Sequence, residues 1–184
     1  MNKIDKKGGQ DMILETERLS LRELRQADFS ALCAILQDRE VMYAYEHPFS
    51  NREVQAWLNR QLSRYERDGF GLWAVVEKAT GEMIGQCGLT MQAWLERTVP
   101  EIGYHLRRDR WHQGFATEAA LACREHAFQA LGLPEVFSII RDNNLPSQGV
   151  ALRCGMSVRG SFVKHYYGMD MLHLVFGVRR EAVR

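Results

Sequence analysis

The sequence predicts an α+β domain: a mixed, mostly antiparallel central sheet of about seven strands with helices on both faces. Three observations lead there. Short runs such as "RLSLREL", "FGLWAVV" and "EVFSIIR" are alternating or continuously apolar, as strands are. Longer stretches with helical spacing separate some of these runs. Elsewhere two strands follow one another with only a turn between, the arrangement of an antiparallel pair.

Taken in order, residues 18–24 alternate, with Leu19 and Leu21 on one face. Asp28 stands where it would cap a helix over 28–37 that buries Phe29, Leu32 and Leu36. Ser50 and Glu53 have the spacing of a capping box. The helix they open presents Val54, Trp57, Leu58, Gln61, Leu62 and Tyr65 on one face. Residues 70–90 read as two strands around a turn at Thr80-Gly81, and 100–107 as a fourth strand. A long helix covers 114–131 and stops at Gly132, with Pro134 beyond. Then come a buried strand over 135–141, a short helix over 144–155 with Pro146 in its first turn, and closing strands over 156–165 and 170–179. The polar segment 1–11, "MNKIDKKGGQD", has no apolar period and reads as a disordered extension to a single domain over 12–184.

Composition narrows the function classes. The 184 residues carry 24 basic and 23 acidic side chains, a net charge of +1, which gives no electrostatic case for nucleic acid or an anionic membrane. No apolar run approaches the roughly 18 residues that span a bilayer, and the N-terminus lacks the apolar stretch of a signal peptide. Cys33, Cys87, Cys123 and Cys154 are scattered without a CxxC pair, so reduced thiols in a cytoplasmic protein are expected. His105, His112, His126 and His173 show no metal-ligand spacing, and no metal is expected.

One stretch carries chemistry. In "WHQGFATEAA" a strand and an arginine-rich loop run into the start of the long helix. A helix N-terminus has four unpaired N–H groups and about half a positive charge. Gly114 and Ala116 keep bulk away, and Thr117 adds a hydroxyl. This is a place for a phosphate or pyrophosphate, although neither GxxxxGK[ST] nor GxGxxG is present. A glycine kept only for tight packing is the competing reading.

From "EIGYHL" through "WHQGFATEAA" the chain resembles motif A of the GCN5-related N-acetyltransferases, and most closely their ribosomal-protein alanine N-acetyltransferase (RimJ/RimL-type) branch. "ETERLSLREL", "GEMIGQCGL" and "NLPSQGVALRCGM" resemble the same branch, in order and spacing, so the likeness runs from Met12 to Arg179. It implies acetyl-CoA as co-substrate, its pyrophosphate at the loop before the long helix. His105, Leu106, His112, Gln113, Gly114, Phe115, Ala116, Thr117 and Asn144 are the implied cofactor-binding positions. Two departures stand out in motif A: Trp111 occupies the usual Gln/Arg position, and Ala116 replaces the final glycine. Ala151 stands where some members carry a tyrosine that protonates the departing thiolate. Ser147 matches the serine that the RimL type uses instead.

The implied reaction is direct attack of an amine on the thioester carbonyl. Glu101 matches the general base of some members, acting through water. The competing reading is a strand-end carboxylate paired with a nearby arginine, and it is the favoured one because a glutamate of ordinary pKa is a weak base. A backbone N–H near His105 or Leu106 would face the oxyanion. Ser147 either bonds the leaving sulfur or caps its helix, and Asn144 either binds the pantetheine arm or serves as the cap. Arg107, Arg108 and Arg110 are candidates for coenzyme A phosphates. Tyr166 and Tyr167 read as walls of the acceptor pocket or as a hairpin aromatic pair. The expected activity is N-acetylation of a primary amine, foremost a ribosomal or other protein N-terminus. A small amine (aminoglycoside, polyamine or amino acid) and a non-catalytic acyl-CoA-binding module are the alternatives. Monomer and homodimer are both open.

Overall fold

The computed structural model describes residues 12–180, so the expectation of a disordered segment over 1–11 lies outside the described residues. Eight strands form one sheet: β1 (Met12–Glu15), β2 (Leu19–Arg22), β3 (Leu72–Glu77), β4 (Met83–Trp94), β5 (Arg97–Leu106), β6 (Glu135–Arg141), β7 (Ser157–Tyr166) and β8 (Met169–Arg179). Their spatial order is β1-β2-β3-β4-β5-β6-β8-β7. Every neighbouring pair is antiparallel except β5 and β6, which run parallel. The strand beyond the seven expected is β1, which folds back on β2 through Leu14↔Leu21. The hairpin of β4 and β5 is also longer than expected, turning at Leu95 in the left-handed region (φ 55°).

Four helices cover the sheet: α1 (Phe29–Leu36), α2 (Asn51–Asp68), α3 (Phe115–Gln129) and α4 (Leu145–Arg153). On one face α1 and α2 bury Leu32, Ile35, Leu36, Val54 and Leu58 against Leu24 and Ala74. On the other, α3 and α4 bury Phe115, Ala119, Cys123, Val150 and Ala151 against Trp73, Ile102 and Phe176. Apolar burial of this kind stabilises by about 25 cal/mol per Å² and holds both layers in place. All four cysteines are free, with the Cys87 and Cys123 sulfurs 3.6 Å apart in this second core.

The capping box of α2 is present: Ser50 Oγ accepts from the Glu53 amide, and Glu53 accepts from the Ser50 amide at 2.8 Å. Asp28 behaves otherwise. It stands at the N-cap of α1, but its carboxylate takes both guanidinium nitrogens of Arg22 at 2.8 Å and the Arg25 amide, and bonds no α1 amide. A bidentate charged pair outcompetes a single capping bond.

Candidate functional site

The site begins with a fault in the sheet. β5 and β6 are paired only at Glu101↔Phe137, with Ser138 Oγ donating to the Ile102 carbonyl at 2.8 Å just beyond. The strands then part. Residues 102–106 on one side and 138–141 on the other become walls of a cleft of about 620 Å³. Each wall offers backbone groups without a strand partner, which a ligand carrying amides can use. Glu101 stands where the strands part. Its Oε1 accepts from the Ile139 amide at 3.1 Å and its Oε2 from Thr90 Oγ1 at 3.3 Å. Burial raises its pKa, opposed by the charge of Lys164 and by these hydrogen bonds. Among the described residues it pairs with no arginine, its two oxygens being taken by Ile139 and Thr90 instead.

One end of the cleft is the start of α3. Gly114 is the N-cap, with φ 83°, a conformation open to glycine at little cost. The first intrahelical bond runs from the Glu118 amide to the Gly114 carbonyl. The amides of Phe115, Ala116 and Thr117 are thus left to a ligand, and all three residues line the cleft with His112 and Gly114. The loop is held from outside by Arg18. Its Nη1 donates to the Gln113 carbonyl at 3.0 Å, its Nε bonds Glu118 at 2.7 Å, and its guanidinium lies over the Phe115 ring at 4.3 Å. Thr16 Oγ1 donates to the same carboxylate at 2.6 Å. Trp111, in the unusual motif position, donates its indole N–H to the Leu106 carbonyl at 3.0 Å and ties the end of β5 to the loop.

The wall opposite this loop is α4. Asn144 is its cap, accepting from the Ser147 amide at 3.2 Å and from the Tyr43 hydroxyl at 2.8 Å. The Ser147 carbonyl accepts the Tyr104 hydroxyl at 2.7 Å. The Ser147 hydroxyl bonds no described residue, and Ser147 lines the cleft. Ala151 is 1% exposed in the core behind, so that side of α4 has no room for a tyrosine. Arg153, farther along α4, donates to Thr117 Oγ1 at 3.1 Å and bridges the two helices over the cleft.

The remaining end is aromatic. A polar chain runs into it from the α2 face. Trp57 Nε1 donates to Gln86 Oε1 at 3.0 Å, which turns the Gln86 amide nitrogen to His105 Nδ1 at 3.4 Å. With Nδ1 accepting, the His105 proton sits on Nε2 and is given to the Tyr45 hydroxyl oxygen at 3.2 Å. The Tyr45 O–H is then free to donate into the cleft. Burial pushes the His105 pKa down to about 4 and keeps the ring neutral. Tyr43, Ala44 and Tyr45 come from a 3₁₀ turn between α1 and α2, and Arg141, Lys164, Tyr166 and His173 complete this end.

Of the positions singled out in the sequence, His105, Leu106, His112, Gly114, Phe115, Ala116, Thr117, Asn144, Ser147 and Tyr166 line one cleft. Glu101 lies beside the wall, and Gln113 faces out, its side chain bonding the Asp109 carbonyl at 3.1 Å. Tyr167 stands at the β7–β8 turn, 57% exposed, with ring contacts to Tyr166 and His47. Of the loop arginines, Arg110 touches the cleft but is paired with Asp109, Glu77 and Glu82, and Arg107 is taken by Asp109 and Glu82. Sequence reasoning missed Arg18, Tyr45 and Arg153. The "ETERL" segment was the one available signal for Arg18. Among the described residues no cluster of His, Cys, Asp or Glu is placed to hold a metal ion, and no helix is long and apolar enough to cross a membrane.

Comparisons with known proteins agree with this geometry. Residues 18–157 match the family model described as an acetyltransferase (GNAT) domain. The uncharacterized protein YkkB of Bacillus subtilis is 35% identical over 78% of this chain and 84% of its own length. The uncharacterized N-acetyltransferase YoaA of the same organism is 29% identical over 84% of this chain and 88% of its own. Among solved structures, RimL, a ribosomal alpha-N-protein acetyltransferase in complex with coenzyme A, shares the fold with a TM-score of 0.75. That match has 17% identity and covers 92% of this chain and 98% of that one.

Proposed function

This chain belongs to the GNAT family of acetyl-CoA-dependent acetyltransferases, and from that premise we propose that it acetylates a primary α-amine, foremost a protein N-terminus. The observation that carries the choice of amine is that no aspartate or glutamate lines the cleft among the described residues. An α-amine, with a pKa near 8, is partly neutral at neutral pH and needs little help to lose its proton. A lysine amine near 10.4 needs a base. That RimL is an alpha-N-protein acetyltransferase agrees with this reading.

The residues divide the work along the cleft. The free amides of Phe115, Ala116 and Thr117 take the pyrophosphate of coenzyme A, with Arg153 adding charge at the same end. The unpaired edges of β5 and β6 take the amide-bearing pantetheine arm, which leads the thioester towards Glu101. Acetyl-CoA supplies the activated acetyl group. The amine nitrogen bonds the carbonyl carbon, the C–S bond breaks, and sulfur leaves as thiolate. An N–H of the β5 wall near His105 or Leu106 faces the developing oxyanion. The Ser147 hydroxyl, free of other bonds, donates to the thiolate. Because a thiol has a pKa near 8.5, a hydrogen bond suffices there. Glu101, with both oxygens engaged, holds β6 at the point of parting, and the amine proton leaves to water.

Release of free thiol from acetyl-CoA, measured against a panel of acceptors, tests the reading. A peptide with a free N-terminal alanine should be turned over. An α-blocked lysine peptide, spermidine and an aminoglycoside should not. Turnover of spermidine or the aminoglycoside alone would replace the α-amine with a polycationic acceptor. Release with none of the panel would leave a binding module.

A further inference from the structure

We propose that the acceptor is anionic as well as amine-bearing, and that Lys164 of β7 selects it by pairing with a carboxylate or phosphate carried close to the amine; this rests on the acetyltransferase reading above. The aromatic end of the cleft is rich in donors and poor in acceptors. Lys164 lines it and holds its ammonium 5.5 Å from the centre of the Phe162 ring; its charge reaches the buried Glu101 carboxyl, but it forms no direct ion pair with any described residue. With the His105 proton on Nε2 the Tyr45 hydroxyl accepts it and keeps its own proton for a ligand, and the Tyr166 hydroxyl bonds no described residue. Arg141 also lines this end but is neutralised by Glu46, with its Nε buried and unpartnered. His173 adds no charge, because burial lowers its pKa and its Nδ1 donates to the Met171 carbonyl. Of the four cations on the cleft wall, Arg110 is paired with Asp109, Glu77 and Glu82 and Arg141 with Glu46, which leaves Arg153 and Lys164 without an ion pair among the described residues.

This pattern repels polycations. An aminoglycoside or polyamine needs carboxylates around its ammonium groups, and here it would meet a lysine. It suits an acceptor that brings its own negative charge, since a half-buried ammonium with no direct ion pair gains from an anion that replaces its water. The charge serves the reaction too, because a nearby cation disfavours the protonated amine.

Two sources supply such an anion: the α-carboxylate of a free amino acid, or an acidic side chain at the second position of a protein N-terminus. Steady-state kinetics at saturating acetyl-CoA separates them, with alanine against alaninamide in one arm and the amides of Ala-Asp-Gly and Ala-Asn-Gly in the other. In one arm the anionic acceptor should be preferred in kcat/KM by about tenfold or more. In Lys164→Gln that ratio should fall to about one, and in Lys164→Glu it should invert. Calorimetric titration with acetyl-CoA and thermal melts establish that each variant is folded. Equal turnover of the neutral and anionic member of both pairs overturns the inference and leaves N-acetyl transfer standing. So does a preference that survives Lys164→Gln. Thiol release with none of the four acceptors removes both.

Discussion

Arg18 and Glu118 are 100 residues apart in the chain and 2.6 Å apart in space. The pair joins the start of β2 to the first turn of α3, and the same guanidinium holds the Gln113 carbonyl. Arg18 is 43% exposed, so the ion pair alone is worth little. Its importance lies in fixing the loop whose amides face the cleft. Arg18→Ala should weaken acetyl-CoA binding about fivefold, equivalent to roughly 1 kcal/mol, and Arg18→Lys should not restore it, since an ammonium lacks the fork that reaches both partners. Isothermal titration of the two variants decides it. Parental affinity in Arg18→Ala would mean that the loop needs no clamp.

Gly114 allows a direct test of the phosphate end. A Cβ there would lie 3.4 Å from Arg18 Nη2 on a backbone at φ 83°. Gly114→Ala should therefore cost about 1–2 kcal/mol of stability from the left-handed backbone alone. Gly114→Glu adds a carboxylate beside the free amides and should abolish acetyl-CoA binding in a protein that still melts cooperatively. If the folded Gly114→Glu protein binds acetyl-CoA as the parent does, the phosphate lies elsewhere.

What the sequence made legible was local. The Ser50/Glu53 box, the left-handed Gly132 and the small residues Gly114 and Ala116 are signals read within one turn of helix; the box and Gly114 cap their helices, while α3 itself ends at Gln129, short of the expected 131. What it hid depends on contacts across the sheet. β1 has four residues, and its register with β2 shifts between Met12 and Leu14, so it is too short and irregular for a period to show. Asp28 had the spacing of a cap, and only the folded chain brings Arg22 to it. Tyr45 sits on a three-residue 3₁₀ turn with no periodic pattern, and its place at the cleft follows from the packing of α1 and α2.

Glu101 separates a base from a brace. Glu101→Gln keeps an oxygen for the Ile139 amide and an N–H₂ for Thr90, so the split should hold its shape, but the side chain can no longer take a proton. If Glu101 braces β6, the variant should keep kcat within about threefold and the same pH profile, with water still taking the amine proton. A loss of roughly 100-fold that removes the acidic limb of the kcat/KM profile would make Glu101 the base instead.

His105 predicts a pH effect on stability. Its pKa is pushed from the usual 6.5 down to about 4 by burial. Between those values the unfolded chain binds a proton that the folded chain does not. The stability due to neutral His105 is therefore complete above about 6.5 and is lost as pH falls towards 4. The melting temperature should drop on acidification from pH 7 to 4.5, and His105→Gln should flatten that drop. An equally steep decline in the variant would assign it to other groups, such as His126 and His173, whose pKa values burial also lowers.

Ser147 is the sharpest test of the chemistry, because capping and catalysis are carried by different residues of α4. The cap is Asn144, which accepts the Ser147 amide; the Ser147 side chain bonds nothing described and lies on the cleft wall. Asn144→Ala should therefore cost about 1 kcal/mol of stability, while Ser147→Ala should leave the melting temperature nearly unchanged. In kinetics the effect of Ser147→Ala should be large: kcat should fall by roughly 10- to 100-fold, the lower range for an acid. The KM for acetyl-CoA should hardly move, since the hydrogen bond strengthens as charge gathers on sulfur. Ala151→Tyr offers no rescue, because Ala151 is sealed in the core and the larger ring would overpack it. A Ser147→Ala enzyme that runs at full speed would leave the thiolate to another donor, and the hydroxyl of Tyr104, bonded to the Ser147 carbonyl at 2.7 Å, is the next group to change.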